Sequence, residues 1–181
     1  FFTVFSSQLL ANSDFYTGAF PAEYGNALAG VFDMKLRNGN NEKREYTLQA
    51  GLMGVDISSE GPFVKGKRPT YLFNYRFSSF ALLANLGIIP FEQMPIFQDF
   101  SFKLNLPTQK AGTFALWGIG AIDSYTEPYV LDSTKWETDR NRKKYDWKMN
   151  TGVVGLTHKL ITGKRTYIKT TLAASGIYNK R

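Results

Sequence analysis

Apolar and polar residues alternate with a period of two along much of this chain. Between Pro69 and Ser78, Tyr71, Phe73, Tyr75 and Phe77 alternate with Asn74, Arg76 and Ser78, which predicts a strand with rings on one face and polar groups on the other. Phe97 to Leu106 repeats the pattern, with Phe100, Phe102, Leu104 and Leu106 opposite Asp99, Ser101, Lys103 and Asn105. Glu45 to Met53 places Tyr46, Leu48, Ala50 and Leu52 on one side, and Thr113 to Asp123 is apolar around Gly118 and Gly120. Tyr145 to Lys159 and Thr166 to Tyr178 are longer. Their apolar rows are Trp147, Met149, Thr151 and Val153, then Ile168, Thr170, Leu172 and Ala174. No helix longer than a turn or two is predicted.

The connections alternate in length. Lys65 to Arg68, Pro107 to Gly112 and Thr162 to Lys164 are short, whereas Leu83 to Ile96 and Ser124 to Lys144 are long. All long loops then fall at one end of an antiparallel sheet, an asymmetry that a transmembrane β-barrel has and that a soluble up-and-down barrel can also show. In a soluble barrel the aromatic rows would leave an apolar patch facing water.

Composition agrees with an all-β chain. Of 181 residues, 15% are aromatic, and 16 glycines lie among them; rings suit strands better than helices. The absence of cysteine removes disulfides, thiolate metal sites and a Cys nucleophile, and leaves His158 as the one imidazole. A net charge of +7 permits nucleic acid, an anionic membrane surface or an anionic solute as partner and selects none of them. The longest uncharged stretch, Phe77 to Phe91, falls short of the roughly 20 apolar residues of a membrane helix and contains Asn85 and Pro90. A membrane helix is therefore excluded and a membrane barrel is not. The chain opens Phe1-Phe2-Thr3, with no basic segment, apolar run and cleavage site, so any export signal is expected to have been removed or to lie outside it.

The first 40 residues read differently. Tyr16 to Gly30 is rich in Gly, Ala and turn formers, Gly30 to Arg37 reads as one mixed strand, and Asn38 to Asn41 breaks it. A domain boundary is expected at about residue 40, dividing 1–40 from 41–181.

The run DFYTGAFPAEYGNALAGVFDMKLRNGN, Asp14 to Asn40, resembles the C-terminal part of the plug domain of TonB-dependent outer-membrane receptors. EGP at Glu60 to Pro62 and KGKRPTYLFNYRFS at Lys65 to Ser78 resemble the opening strands of that family's barrel. The resemblance implies a fragment: the end of a plug, then about the first seven strands of a larger transmembrane antiparallel β-barrel. With the plug on the periplasmic side, the long Leu83 to Ile96 loop must be external. That requires Glu45 to Phe63 to be a hairpin bent near Met53 to Val55.

On this reading Tyr71, Phe73, Tyr75, Phe77, Phe100, Phe102 and Leu104 face lipid, and Arg76 and Lys103 point into the lumen, because a cation in hydrocarbon costs about 2–4 kcal/mol near the midplane. Arg76 and Glu60 then have two readings: locks to plug residues Glu23, Asp33 or Arg37, or simple solvation. Tyr125, Tyr129 and Trp136 are candidates for an external ligand loop, with interfacial anchoring as the alternative. The resemblance implies active transport of a ligand such as a siderophore, glycan or peptide at the bacterial outer membrane. Its partners would be outer-membrane lipid, the TonB energy-coupling complex through a segment N-terminal to this one, and the ligand. A surface lipoprotein partner is left open, and no cofactor, metal or nucleic acid is expected.

Other features have plainer readings. His158, beside a predicted turn, is expected to be an ordinary strand-end residue. Asp56 with Glu60, or Asp123 with Glu127, has the composition of a glycosidase pair but reads as lumen or loop carboxylates. No enzyme is expected, since no nucleophile, base and orienting group stand together. The basic run Arg140 to Lys144 with Tyr145 and Trp147 supports the competing reading, a soluble β-rich binding module for nucleic acid or glycan. Gly118 and Gly120 form no phosphate loop, lacking a Lys-Ser/Thr and a following helix.

Overall fold

The computed structural model describes residues 7–18, 20–22, 24–25, 27–51, 54–78, 80, 82–83, 86–88, 96–127, 129–136 and 142–180. The chain is all-β. A small antiparallel pair, β1 (Asp14–Tyr16) and β2 (Val31–Asp33), precedes seven strands: β3 (Glu45–Ala50), β4 (Val55–Pro62), β5 (Thr70–Phe77), β6 (Ile96–Pro107), β7 (Thr113–Glu127), β8 (Tyr145–Ile161) and β9 (Tyr167–Lys180). These seven form one antiparallel sheet in chain order, each strand beside its sequence neighbours, and β3 and β9 are its edges; the sheet is not closed. Among the described residues helix is confined to short turns, and no helix is long and apolar enough to cross a membrane.

The hairpin expected within 45–63 is present. Glu45 stands opposite Glu60 and Ala50 opposite Val55, with Gly51 N donating to Gly54 O at 3.0 Å across the bend. Residues 52 and 53 lie outside the described set. The stretch expected as one mixed strand from Gly30 to Arg37 is shorter: Val31–Asp33 pairs with β1, and Leu36 makes only an isolated bridge to Leu10. The second long loop is also shorter than its sequence suggests. β7 continues to Glu127, so Tyr125 belongs to a strand, opposite Trp147. Long connections, 78–95 and 128–144, do share one end of the sheet, and 63–69, 108–112 and 162–166 make tight turns at the other.

Strand register assigns every side chain to one of two faces. Tyr71, Phe73 and Tyr75 on β5 stand opposite Leu104, Phe102 and Phe100 on β6, which stand opposite Leu116, Gly118 and Gly120 on β7. The row continues through Leu156, Val154 and Gly152 on β8 to Leu172, Ala174 and Gly176 on β9. Neighbouring rings lie about a van der Waals contact apart: Phe73 is 6.2 Å from both Phe100 and Phe102 by centroid, and the Phe102 ring covers Gly118, where a Cβ would stand 2.6 Å from Cε1. One apolar row of the sequence falls on the other side. Trp147, Met149, Thr151 and Val153 share a face with Asp123, Ala121 and Ile119, while Leu172 and Ala174 share one with the rings. Only pairing across β7 and β8 fixes that, since period two is the same on either face.

Burial is inverted relative to a water-soluble sheet. The face carrying Asp56, Ser58, Glu60, Thr70, Asn74, Asp99 and Ser101 is buried, with Leu72, Phe97 and Ala121 among them and Leu9 packed from the N-terminal segment. The ring-bearing face is open: Tyr46, Leu48, Ile57, Phe100, Leu156 and Leu172 are all exposed.

Candidate functional site: the N-terminal segment on the polar face

The N-terminal segment lies across the polar face of β3 to β6. Its two strands hold a short ion-pair chain in which Lys35 Nζ donates to Asp14 at 2.6 Å and stands 3.1 Å from Asp33. Hydrogen bonds to those two carboxylates push the Lys35 ammonium upward. Burial pushes Asp33 up, but hydrogen bonds from Lys35 and Tyr24 outweigh it and hold the carboxyl below its ordinary value. Backbone bonds tie the segment's two ends together, Ala11 N to Lys35 O at 2.7 Å and Arg37 N to Leu9 O at 2.9 Å.

Arg37 then leaves the segment and grips the sheet. Its two terminal nitrogens donate to the two oxygens of Glu60 at 2.6 Å each, and its Nε donates to the Gln8 carbonyl. Asn40 N adds a third donor to Glu60, at 2.8 Å, and Asn40 Nδ2 donates to Glu45 at 2.8 Å. Hydrogen bonding to Glu60 raises the Arg37 pKa against the opposing effect of burial. A fork-to-fork guanidinium–carboxylate pair fixes orientation as well as distance, so this contact sets how the segment lies on the sheet.

Three further contacts complete the clamp. Lys103 Nζ donates to Leu36 O at 2.6 Å, Ser58 Oγ to Gln8 Oε1 at 3.2 Å, and Gln8 Nε2 to Gln49 Oε1 at 3.2 Å. The chain crosses β5 so closely at Gly39 that a Cβ there would stand 2.0 Å from the Tyr71 carbonyl oxygen. The EGP step has a matching geometry: Glu60 takes the clamp, and Gly61, at φ +154°, holds a conformation L side chains rarely adopt beside Arg44.

The five residues expected between plug and wall are distributed as follows. Arg37 and Glu60 meet. Asp33 pairs within the segment, with Lys35. Arg76 bonds Asp99 on the adjacent strand, Nε at 2.8 Å and Nη2 at 2.7 Å, and lies 5.4 Å over the Phe97 ring. Glu23 lies outside the described residues. Sequence reasoning missed Gln8, Asn40, Gly39 and Asp99; the Asn38-Gly39-Asn40 cluster was a visible signal, read only as a break.

Tyr71, Phe73, Tyr75 and Phe77 share the exposed face with Phe100, Phe102 and Leu104, and Tyr75 Oη donates to Gln98 at 2.9 Å. At the long-loop end, Trp136 Nε1 donates to Val130 O at 2.7 Å with the Arg142 guanidinium 4.9 Å over its ring, and Tyr129 is exposed nearby in sequence. Tyr125 lies in β7. Arg140 lies outside the described residues.

Of the two carboxylate pairs, Asp56 accepts from Asn74 Nδ2 and Glu60 from Arg37, while Asp123 and Glu127 sit on one face of β7. His158 stacks on Phe114 at 4.4 Å between centroids and its Nε2 donates to Ala111 O at 2.6 Å, clasping the 108–112 turn. Among the described residues no group of three or more His, Cys, Asp or Glu is disposed to hold a metal.

No family model, curated protein or solved structure matches the chain.

Proposed function

We propose that this chain is the end of a plug and the first seven wall strands of an outer-membrane β-barrel transporter of the TonB-dependent kind, which takes up a ligand from outside. One observation carries the membrane part of the reading: polar and charged side chains are buried on one face while rings and aliphatics are exposed on the other. Water would drive the opposite arrangement, whereas hydrocarbon favours apolar side chains outward and a polar interior. Strands β6 to β9 have 12, 15, 17 and 14 residues, enough for the about 9–11 that a tilted strand needs to cross. An open edge is untenable in lipid, so β3 and β9 require further strands beside them.

Transport, as opposed to a static barrel, rests on the plug-like run Asp14 to Asn40 and on the polar character of its contacts. Arg37–Glu60, Lys103 to Leu36 O and Ser58 to Gln8 are hydrogen bonds that water can replace, so a pull on the N-terminal segment works mostly against polar contacts, with Leu9 the buried apolar side chain that leaves with it. The energy-coupling complex, the ligand and any surface lipoprotein belong to the same proposal.

The test is the behaviour of the whole protein that carries this chain, extracted from membranes in detergent. A species several times larger than 181 residues, whose gel mobility shifts on boiling, is the expected result. A water-soluble species of about this length overturns the reading and favours a soluble binding module.

A further inference from the structure

Among the glycines of β7, β8 and β9, two are covered by rings and three are not. Phe102 covers Gly118, and Trp117 covers Gly155, where a Cβ would stand 2.3 Å from the indole. Gly120, Gly152 and Gly176 stand in direct cross-strand register on the exposed ring-bearing face, and a Cβ on any of them would meet nothing closer than 3.6 Å. The result is a trough of about 540 Å³, flanked by Tyr75 and Phe100 on one side and by Ile122, Asn150 and Tyr178 at its upper rim.

Directly above that rim, towards the long loops, Lys148 stands opposite Lys180 on the same face. Like charges in direct cross-strand register destabilise a sheet. Nearby Asp146 is already engaged, accepting from Thr126 at 3.0 Å and pairing with Lys144 at 3.2 Å, and neither Lys148 nor Lys180 has a carboxylate within ion-pair distance among the described residues. Four residues of strand separate glycine row from lysine row, roughly 13 Å, a span suited to a molecule with an anionic head and an apolar tail.

We infer that this face binds one phosphate-bearing anionic lipid, its headgroup between Lys148 and Lys180 and an acyl chain in the trough over Gly120, Gly152 and Gly176. The inference rests on the membrane reading above. Charge complementarity selects the head, and the apolar trough continuous with it selects a lipid over a free anion.

The probe is an equimolar mixture of phosphatidylglycerol and phosphatidylcholine added to the detergent-purified whole protein, with retained lipid counted by native mass spectrometry. Preferential retention of phosphatidylglycerol is expected. Each lysine near an anionic surface is worth about a fivefold change, so the double substitution Lys148→Gln, Lys180→Gln lowers that preference about twenty-five-fold. Gly176→Leu, which fills open space, lowers retention of both lipids while leaving the heat-dependent gel shift intact. Equal retention of the two lipids by the unmodified protein overturns the inference, as does an unchanged preference in the lysine variant. Displacement by millimolar inorganic phosphate as complete as by lipid overturns it too, by reducing the site to an anion site. A protein that shows the gel shift but fails these tests loses this inference alone; one that shows no gel shift loses the membrane reading with it.

Discussion

Arg37 and Glu60 form a two-pronged ion pair, both N–O distances 2.6 Å, between the N-terminal segment and β4, the second strand of the seven-stranded sheet. Glu60 is nearly buried and also accepts from Asn40 N, so the carboxylate gathers the segment's exit into one point. Removing its charge leaves Arg37 half-buried without a counter-ion. Glu60→Gln is expected to cost about 2 kcal/mol of docking, a rise of about thirtyfold in amide exchange over 36–40 measured by mass spectrometry. Unchanged exchange there would show that the clamp is held elsewhere.

Leu172 and Thr171 are neighbours on β9 that face opposite sides. In a membrane, Leu172→Arg costs about 2–4 kcal/mol and depletes assembled protein, whereas Thr171→Arg enters the polar interior and is tolerated. In water both are surface changes within about 0.5 kcal/mol. The amount of heat-modifiable protein in membranes from the two variants separates the cases.

Gly61→Ala places a methyl 2.7 Å from Arg44 Cγ and 2.8 Å from Arg44 Cα at a φ of +154°. The expected penalty is about 1–3 kcal/mol, read as a lower temperature for loss of the folded gel band. An unchanged temperature would mean that the β4 end relaxes freely.

Lowering pH should loosen the β1–β2 pair. Asp33 is depressed below its ordinary value in the folded chain, so its contribution is present above the unfolded value near 4 and is lost as pH falls through the lower folded value. Protease cleavage within 14–33 is therefore expected to rise only below about pH 4, and Asp33→Asn to flatten that rise. A rise already complete at pH 6 would point to another group.

The strands were legible because period-two alternation is a local property that each strand carries in its own residues. Tyr71 to Phe77 and Phe100 to Leu106 needed no partner to announce two faces. Even the 45–63 hairpin followed from loop parity, though its bend fell in a glycine pair that propensity alone marks weakly. Helix-like or loop-like stretches were harder. Asp14 to Arg37 has few alternating positions, and its form depends on what it lies against.

Local residues thus determined that this chain makes strands, which side of β5 and β6 is apolar, and that the long loops share an end. Register and packing decided the rest: that Trp147 and Leu172 face opposite sides, that Arg37 reaches Glu60 while Arg76 turns to Asp99, and that Lys148 meets Lys180 above an unfilled row of glycines. The physical reason is distance along the chain. Alternation is set by the next residue but one, whereas each of these contacts joins residues 23 or more apart and exists only once the neighbouring strands have fixed where each side chain points.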